Sequence, residues 1–188
     1  MDKFYFLALF LFVKSIYIPL NKRKSKYYWK IQFDDHIPFI PIFIIPYVGY
    51  FLYIIATIFL LWNTKYIYVF FVSYIISYVL AGLFWYFFPN GVKRPNIQGK
   101  NIFRKSILLI YKHDGDSNGF PSAHIFATLI CSYYLLLAFP TFSITISIIC
   151  LLISISTVFV KQHYVLDILG GLMTFLLSIF AASYFLPL

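Results

Sequence analysis

A histidine and an aspartate near the C-terminal end have the types and spacing needed for nucleophilic or acid–base chemistry. His163 and Asp167 are four residues apart in a stretch that begins at Ser156. On a helix, residues at this spacing share one face and can hydrogen-bond. A carboxylate bonded to one ring nitrogen fixes the tautomer and leaves the other nitrogen free to attack. A structural ion pair is the alternative, but such polar pairs beside apolar spans indicate function.

A second histidine lies at a predicted helix start. Pro121 suits the first positions of a helix, and the backbone N–H groups after it lack partners within the helix. A helix N-terminus of this kind binds phosphate, so the donors around Ser122 and Ala123 are candidate phosphate contacts. His124 would stand in the first turn beside that phosphate. An ordinary helix start with an incidental histidine is the alternative.

The elements that must position these residues are membrane spans. The chain is 62% hydrophobic and only 11% charged, whereas a soluble domain has roughly 25% charged residues. This composition predicts an all-α, polytopic membrane helix bundle with one domain over residues 1–188. The net charge of +9 favours contact with membrane lipids and lipid phosphates rather than nucleic acid. Cys131 and Cys150 lie in apolar runs, which favours inert thiols over a disulfide or a zinc site.

Six apolar stretches approach the ~20 residues needed to cross a hydrocarbon core. They are Phe4–Leu20, Phe43–Trp62, Tyr66–Phe88, Ile125–Pro140, Phe142–Val160 and Tyr164–Leu186. The first is the weakest because it contains Lys14, and a surface-lying helix is its alternative. We interpret it as a span, which predicts six transmembrane helices.

Alternation of these spans makes a prediction about the site. The end of the third, the start of the fourth, the end of the fifth and the start of the sixth must share one membrane face. The loop Asn21–Ile42 falls on that face too. Lysines and arginines are concentrated in the loops of this face, for example between Lys22 and Lys30, which favours a cytosolic side.

Three short motifs resemble those of the type 2 phosphatidic acid phosphatase superfamily, which contains lipid phosphatases and lipid phosphotransferases. That family's pattern is Lys-x6-Arg-Pro, then Pro-Ser-Gly-His, then Ser-Arg-x5-His-x3-Asp. Arg94-Pro95 match the end of the first motif, and Pro121-Ser122-Ala123-His124 match the second with Ala in place of Gly. Ser156, His163 and Asp167 match the third at full spacing. The resemblance runs from about Phe43 to the C-terminus and implies six spans with the motifs at their ends.

The chain departs from the family pattern at two cations. Phe87 stands where the family has Lys, and Thr157 stands where it has Arg. Lys93 and Lys161 are the candidate replacements: Lys93 precedes Arg94, and Lys161 lies four residues after Thr157, one helical turn along the same face. The third motif resembles the inositol phosphorylceramide and sphingomyelin synthase branch, as does the stretch that begins at Asp34.

The resemblance implies a mechanism with no metal and no other cofactor. His163 would form a phosphohistidine, Asp167 would orient it, and His124 would protonate the departing oxygen. The phosphoryl oxygens would be held by a group of cations, hydroxyls and backbone donors: Arg94, Lys93, Lys161, Ser122, Ala123 and Ser156. Phosphoryl transfer needs mainly positioning and neutralisation of charge, which such groups supply.

Three functions compete at this point. A lipid phosphatase, in which water resolves the phosphohistidine, is the leading hypothesis, and a lipid phosphotransferase, in which an alcohol resolves it, is the nearest rival. A non-catalytic lipid-binding protein is the third. We expect a multi-pass protein of the plasma membrane, with the side of the active site left open because the family resemblance implies an outward-facing site. The identity of the lipid and the oligomeric state also stay open.

Further polar residues lie in the longest loop. Asp114, Asp116 and His113 could contact a head group, although a solvated loop is the more common arrangement. The basic residues from Lys100 to Lys112 are expected to lie on anionic lipid head groups.

Overall fold

The structure is a computed structural model that describes residues 2–99 and 101–186, so Lys100 lies outside the described residues. Helices make up the regular structure of this part of the chain, and no strand is found in it. The α-helices are α1 (Lys3–Ser15), α2 (Tyr17–Asn21), α3 (Phe33–His36), α4 (Ile44–Leu61), α5 (Ile67–Phe87), α6 (Ile102–His113), α7 (Ala123–Ala138), α8 (Ser143–Phe159) and α9 (Val165–Phe185). Short 3-10 turns at Pro41–Phe43 and Pro140–Phe142 precede α4 and α8. The predicted all-α class is confirmed.

Five helical segments are long and apolar enough to cross a membrane. They are Lys3–Asn21, Pro41–Leu61, Ile67–Phe87, Pro140–Phe159 and Val165–Phe185. The predicted fourth span corresponds to α7, which begins two residues earlier than expected and has only 16 residues. The six predicted spans therefore agree with five long helices and one shorter apolar helix.

The first apolar stretch forms two helices, α1 and α2, that pack along α5. At one end the Lys3 ammonium donates to the Trp62 carbonyl oxygen at 2.7 Å, next to the start of α5. At the other end the Tyr17 ring lies 5.3 Å from the Trp85 ring, near the end of α5. The segment thus extends over the full length of its neighbour, as a span does.

Aromatic side chains fill the core between the helices. The Phe10 ring of α1 lies 4.6 Å from the Tyr74 ring of α5. The Ser73 hydroxyl donates to the Val69 carbonyl and lies 2.8 Å from the Tyr134 hydroxyl, which gives the buried Tyr134 a polar partner on α5. These contacts fix α5 and α7 side by side, and α7 carries His124.

Hydrogen bonds between loops bring together three of the parts predicted to share one face: the end of the third span, the start of the fourth and the loop Asn21–Ile42. The amide of Lys26 donates to the Pro89 carbonyl at 2.8 Å. Beyond α5, the amide of Asn90 donates to the Ser117 carbonyl at 3.2 Å, and its side chain accepts from the Phe120 amide at 2.9 Å. The loop that follows α1 and α2 and the longest loop are therefore joined around Asn90, directly beneath the start of α7.

Candidate active site

His163 and Asp167 form a buried pair. The Nδ1 atom of His163 lies 3.2 Å from the Asp167 Oδ2 atom. The same carboxylate oxygen accepts from the Tyr164 amide at 2.9 Å. The side chain of Asp167 is fully buried and that of His163 is 8% exposed. We assign the proton to Nδ1, because the carboxylate accepts it there, which leaves the Nε2 lone pair free.

The helical explanation of this pair was wrong in one respect. His163 does not lie on a helix, since α8 ends at Phe159 and α9 begins at Val165. Asp167 is the third residue of α9 and reaches back across the helix start to both His163 and the Tyr164 amide. The bond therefore arises from a helix N-terminal cap rather than from two positions on one helix face.

A pair of glycines lets α9 approach the start of α7. A Cβ atom on Gly171 would lie 2.6 Å from the Ile125 Cβ, and one on Gly170 would lie 2.4 Å from the Phe120 ring. The Ser122 amide donates to the Asp167 carbonyl at 3.1 Å across the same contact. This close approach brings the two histidine-bearing segments together.

His124 lies in the first turn of α7, as predicted, and faces His163. The centroids of the two rings are 5.9 Å apart. The His124 ring stacks on Tyr47 at 4.4 Å and contacts Tyr50 at 4.2 Å, and its Nε2 atom is buried without a hydrogen-bond partner in the described residues. An imidazole held between aromatic rings with one free nitrogen is suited to give or take a proton.

Arg94 holds the longest loop against the segment that carries His163. Its terminal nitrogens donate to the carbonyl oxygens of Tyr111 at 2.9 Å, Asp114 at 3.0 Å and Gly115 at 2.8 Å, and to the Gln162 amide oxygen at 2.8 Å. Its Nε atom is buried and has no partner in the described residues. Four of the five guanidinium donors thus bind protein, so Nε–H is the donor left for an anion.

The two replacement lysines line one cavity together with His163. Lys161 is not one helical turn beyond Thr157, as proposed above, because it has a φ of 56° and lies past the end of α8. Its ammonium donates to the Ile37 carbonyl at 2.5 Å, and burial lowers its pKa. The Lys93 side chain is exposed over the Tyr28 ring at 5.8 Å.

The three residues predicted to bind phosphate through hydroxyl or backbone groups, Ser122, Ala123 and Ser156, differ in their surroundings. Ser122 is the residue before α7, and its hydroxyl is buried without a partner in the described residues. Ala123 is buried at the first position of α7. The Ser156 hydroxyl instead donates to the Ile153 carbonyl at 2.6 Å within α8. Pro121 lies before the helix rather than in it.

Cavities reach the histidine pair from two directions. An apolar cavity of about 550 Å³ is lined by His124, Tyr47 and Lys14 among other residues of α1, α4, α5 and α6. A smaller cavity of about 220 Å³ is lined by His163 and Lys161 together with residues of α3 and of the stretch after α5. We call it the polar cavity because it contains charged side chains of both signs, although apolar side chains also line it. The histidine pair lies where the apolar and the polar side of the molecule meet.

The acidic residues of the longest loop hold this loop in place. The Asp114 carboxylate accepts from the Asn21 side chain, and the Asp116 carboxylate accepts from the Ser25 hydroxyl at 2.9 Å. Burial raises the pKa of Asp114, although nearby Arg94 and the bond from Asn21 oppose this. Neither aspartate belongs to a cluster of three metal-binding side chains in residues 2–99 and 101–186.

Two residues near the site were missed as contributors by sequence reasoning. Asp34 is buried and accepts from the Val165 amide at 2.9 Å, which caps α9 from a distant part of the chain. Lys14 lines the apolar cavity. The signal for Lys14 was its position as a lone charge in an apolar stretch, whereas the sequence held no signal for the contact of Asp34.

The fold and site together define a multi-span membrane protein with a buried His–His–Asp centre. The model of the PAP2 superfamily matches residues 65–187, about two thirds of the chain. The chain therefore belongs to the PAP2 superfamily, whose members are phosphoesterases and phosphotransferases acting on phosphorylated substrates. In the comparisons with curated proteins and with solved structures, nothing matched. The match begins at the start of α5, so α1 and α4 lie outside it.

Proposed function

We propose that this protein hydrolyses the phosphate monoester or diphosphate of a membrane lipid through a phosphohistidine at His163. The observation that carries the proposal is the pairing of His163 and His124, with ring centroids 5.9 Å apart, beside an apolar cavity of about 550 Å³. A cavity of this size and character suits an apolar molecule. The expected location in the plasma membrane stays a prediction.

The first step is nucleophilic attack. The His163 Nε2 lone pair forms a bond to phosphorus while Asp167 holds the Nδ1 proton and stabilises the charge that develops on the ring. The bond between phosphorus and the lipid oxygen breaks in the same step. No metal is required, because the positive charge of the protein neutralises the equatorial oxygens.

The position of the apolar cavity supports His124 as the general acid. His124 lines this cavity and His163 does not. A lipid that occupies the cavity would place its departing oxygen at His124. His124 donates a proton to this oxygen and becomes the neutral imidazole, which can act as a base in the next step. Water then attacks the phosphohistidine, His124 takes the water proton, and inorganic phosphate departs as His163 is restored.

The phosphoryl oxygens are assigned to groups around the pair. The Arg94 Nε–H is a buried donor without an acceptor in the described residues. At the start of α7 the amides of Ser122, Ile125 and Phe126 already donate to carbonyl oxygens. We therefore assign the amides of Ala123 and His124 to the phosphate. Lys93 and Lys161 line the polar cavity that His163 also lines. The Ser156 hydroxyl is bonded within its own helix, and we assign it a supporting position rather than a contact with phosphate.

A lipid phosphotransferase is the second candidate, and the polar cavity is the observation that favours it. Asp34, Asp35 and Lys30 line this cavity and do not line the apolar cavity. Carboxylates and ammonium groups can hydrogen-bond the hydroxyls of a polyol. An alcohol held there would reach the phosphohistidine in place of water. The partial resemblance of the third motif to synthases of phosphorylated sphingolipids is compatible with this alternative.

The test is phosphate release from a panel of lipid phosphates by the purified protein in detergent with EDTA. We expect release by the wild type, and loss of release in His163→Ala and His124→Ala. His36→Ala is the matched control, because His36 is exposed on α3 and bonds only to its own turn. Release that requires added metal would refute the metal-free mechanism.

A second measurement separates the two candidates. Wild-type protein that releases no phosphate is incubated with the same lipids and with inositol, choline or glycerol as acceptor. A new phospholipid would establish the phosphotransferase instead of the phosphatase. Silence in both assays would contradict the proposed chemistry and support a non-catalytic lipid-binding protein.

A further inference from the structure

Lys14 is the one cation between Lys3 and Lys22 in the sequence, and it lies within a membrane span. Its helix, α1, precedes the region that the family model matches. The ammonium lies 5.8 Å from the centroids of both the Phe10 and the Phe51 rings. The Lys14 side chain is half-buried, and the two rings beside it belong to α1 and α4.

The charge of Lys14 has no compensating partner in the described part of the chain. Its ammonium forms no hydrogen bond and no ion pair with the described residues, and its contacts there are the faces of the Phe10 and Phe51 rings. Asp114 lines the same cavity but forms no ion pair with Lys14 in the described residues, and its carboxylate accepts from the Asn21 side chain. A charged side chain inside a span is costly, and such residues are retained where they bind an ion or a charged ligand. An anion in the adjacent cavity would supply the missing partner.

The position of Lys14 relative to His124 identifies that anion. Both residues line the apolar cavity, and both lie against Phe51, since the His124 ring is 6.3 Å from the Phe51 ring. A lipid whose phosphate reaches the histidine pair therefore passes the Lys14 ammonium. The family position for a first phosphate-binding lysine holds Phe87, whose side chain is 64% exposed and points away from the core.

We propose that Lys14 binds one phosphate oxygen of the substrate at the His124 end of the apolar cavity, while the groups around His163 bind the others. Lys14 thus supplies from α1 the cation that position 87 lacks. This inference rests on the proposed function. Lys14 would hold the phosphate equally in the bound substrate and during reaction. It is thus a substrate-binding residue, and its loss weakens binding without slowing the bound complex.

The test is the kinetics of Lys14→Met, which keeps the length and apolar stem of the side chain without its charge. We expect KM for a lipid phosphate to rise on the order of tenfold, as for the loss of one charge-assisted contact, while kcat changes little. Lys14→Arg should restore KM. Lys65→Met is the control, because Lys65 lies over the Tyr66 ring at 5.1 Å at the opposite end of α5.

A binding measurement keeps this proposal separate from the proposed function. Phosphatidate in mixed micelles should raise the thermal unfolding temperature of the wild type more than diacylglycerol does, and the difference should vanish in Lys14→Met. A protein that shows this shift without turnover would support Lys14 while refuting the enzyme. An unchanged KM together with an unchanged shift would overturn the assignment, as would a loss of kcat alone.

Glycerol phosphate distinguishes the source of the anion. If KM for this soluble monoester rises in Lys14→Met as it does for the lipid, Lys14 holds the phosphate whichever molecule carries it. A rise for the lipid alone supports binding of phosphate that enters from the membrane. A rise for neither overturns the proposal.

Discussion

Replacement of Arg94 tests whether this residue serves the loop as well as the phosphate. Its guanidinium donates four hydrogen bonds, to Tyr111, Asp114, Gly115 and Gln162, at 2.8–3.0 Å. At about 1 kcal/mol net for each bond, Arg94→Ala should lower the free energy of unfolding by about 4 kcal/mol. For a chain of this size that corresponds to a fall of the unfolding temperature by about 10 °C.

The conservative change is the sharper test. In Arg94→Lys the charge remains, but one ammonium cannot reach four acceptors arranged around a planar fork. We expect about half of the bonds to be lost, which lowers the free energy of unfolding by about 2 kcal/mol and the unfolding temperature by about 5 °C. Activity should fall in parallel, because the loop and the segment carrying His163 are no longer joined.

The assay is thermal unfolding in detergent beside phosphate release at a temperature where both proteins are folded. Arg23→Lys is the matched control, since Arg23 donates to the Tyr86 carbonyl at 2.7 Å at the exposed end of α5 and its loss should cost less than about 1 kcal/mol. An Arg94→Lys protein with unaltered unfolding temperature and strongly reduced kcat would refute the loop-holding role. Arg94 would then act on the substrate alone.

Two further predictions concern the packing and the protonation of the site. Gly171→Ala should destabilise the protein by about 1–3 kcal/mol and reduce phosphate release, because its Cβ would lie 2.6 Å from the Ile125 Cβ; Gly82→Ala, with open space around the new atom, should be neutral or slightly stabilising in the same unfolding assay. Burial raises the pKa of Asp114, so the folded protein binds the Asp114 proton more tightly than the unfolded chain does. The stabilisation that results is fully present below the ordinary carboxyl pKa of about 4, and it is lost as the pH rises through the pKa of Asp114 in the folded protein. As the pH increases from about 4, the unfolding temperature of Asp114→Asn should therefore rise relative to that of the wild type. A difference between the two unfolding temperatures that does not change with pH would contradict the raised pKa of Asp114.

Much of this architecture was predictable because the bilayer imposes its own pattern on the sequence. Long apolar stretches had to become helices. Their alternation predicted that the C-terminal ends of α5 and α8 and the N-terminal ends of α7 and α9 share one face. The contact of His163 with Asp167 also followed from spacing, although for a different reason, since a helix cap replaces the expected helix face. Local sequence determined these features.

The contacts that could not be predicted join residues far apart in the chain. Nothing in the sequence around Asp34 indicates that its carboxylate caps α9, more than a hundred residues later. The interruption of the helix before Lys161 was missed because a short turn with positive φ has no glycine to mark it. Arg94 was recognised as a cation of the site, but its four protein acceptors appear only once the longest loop is folded against Gln162.

The separation of the two cavities bears on the traffic of products. In the described part of the chain, the apolar cavity beside His124 and the polar cavity beside His163 share no lining residue. Between them lies a pocket of only about 10 Å³, which is lined by Tyr47 and Asp114 of the apolar cavity and by His163. Under the proposed reaction, the alcohol formed from the lipid remains in the apolar cavity and returns to the bilayer, while phosphate is freed on the side that Lys93 and Lys161 line. Neither product has to pass the other. The order of release follows from the proposed chemistry, because the alcohol forms in the first step and phosphate is freed only after water attacks the phosphohistidine. The histidine pair lies between the two cavities through which these products would leave.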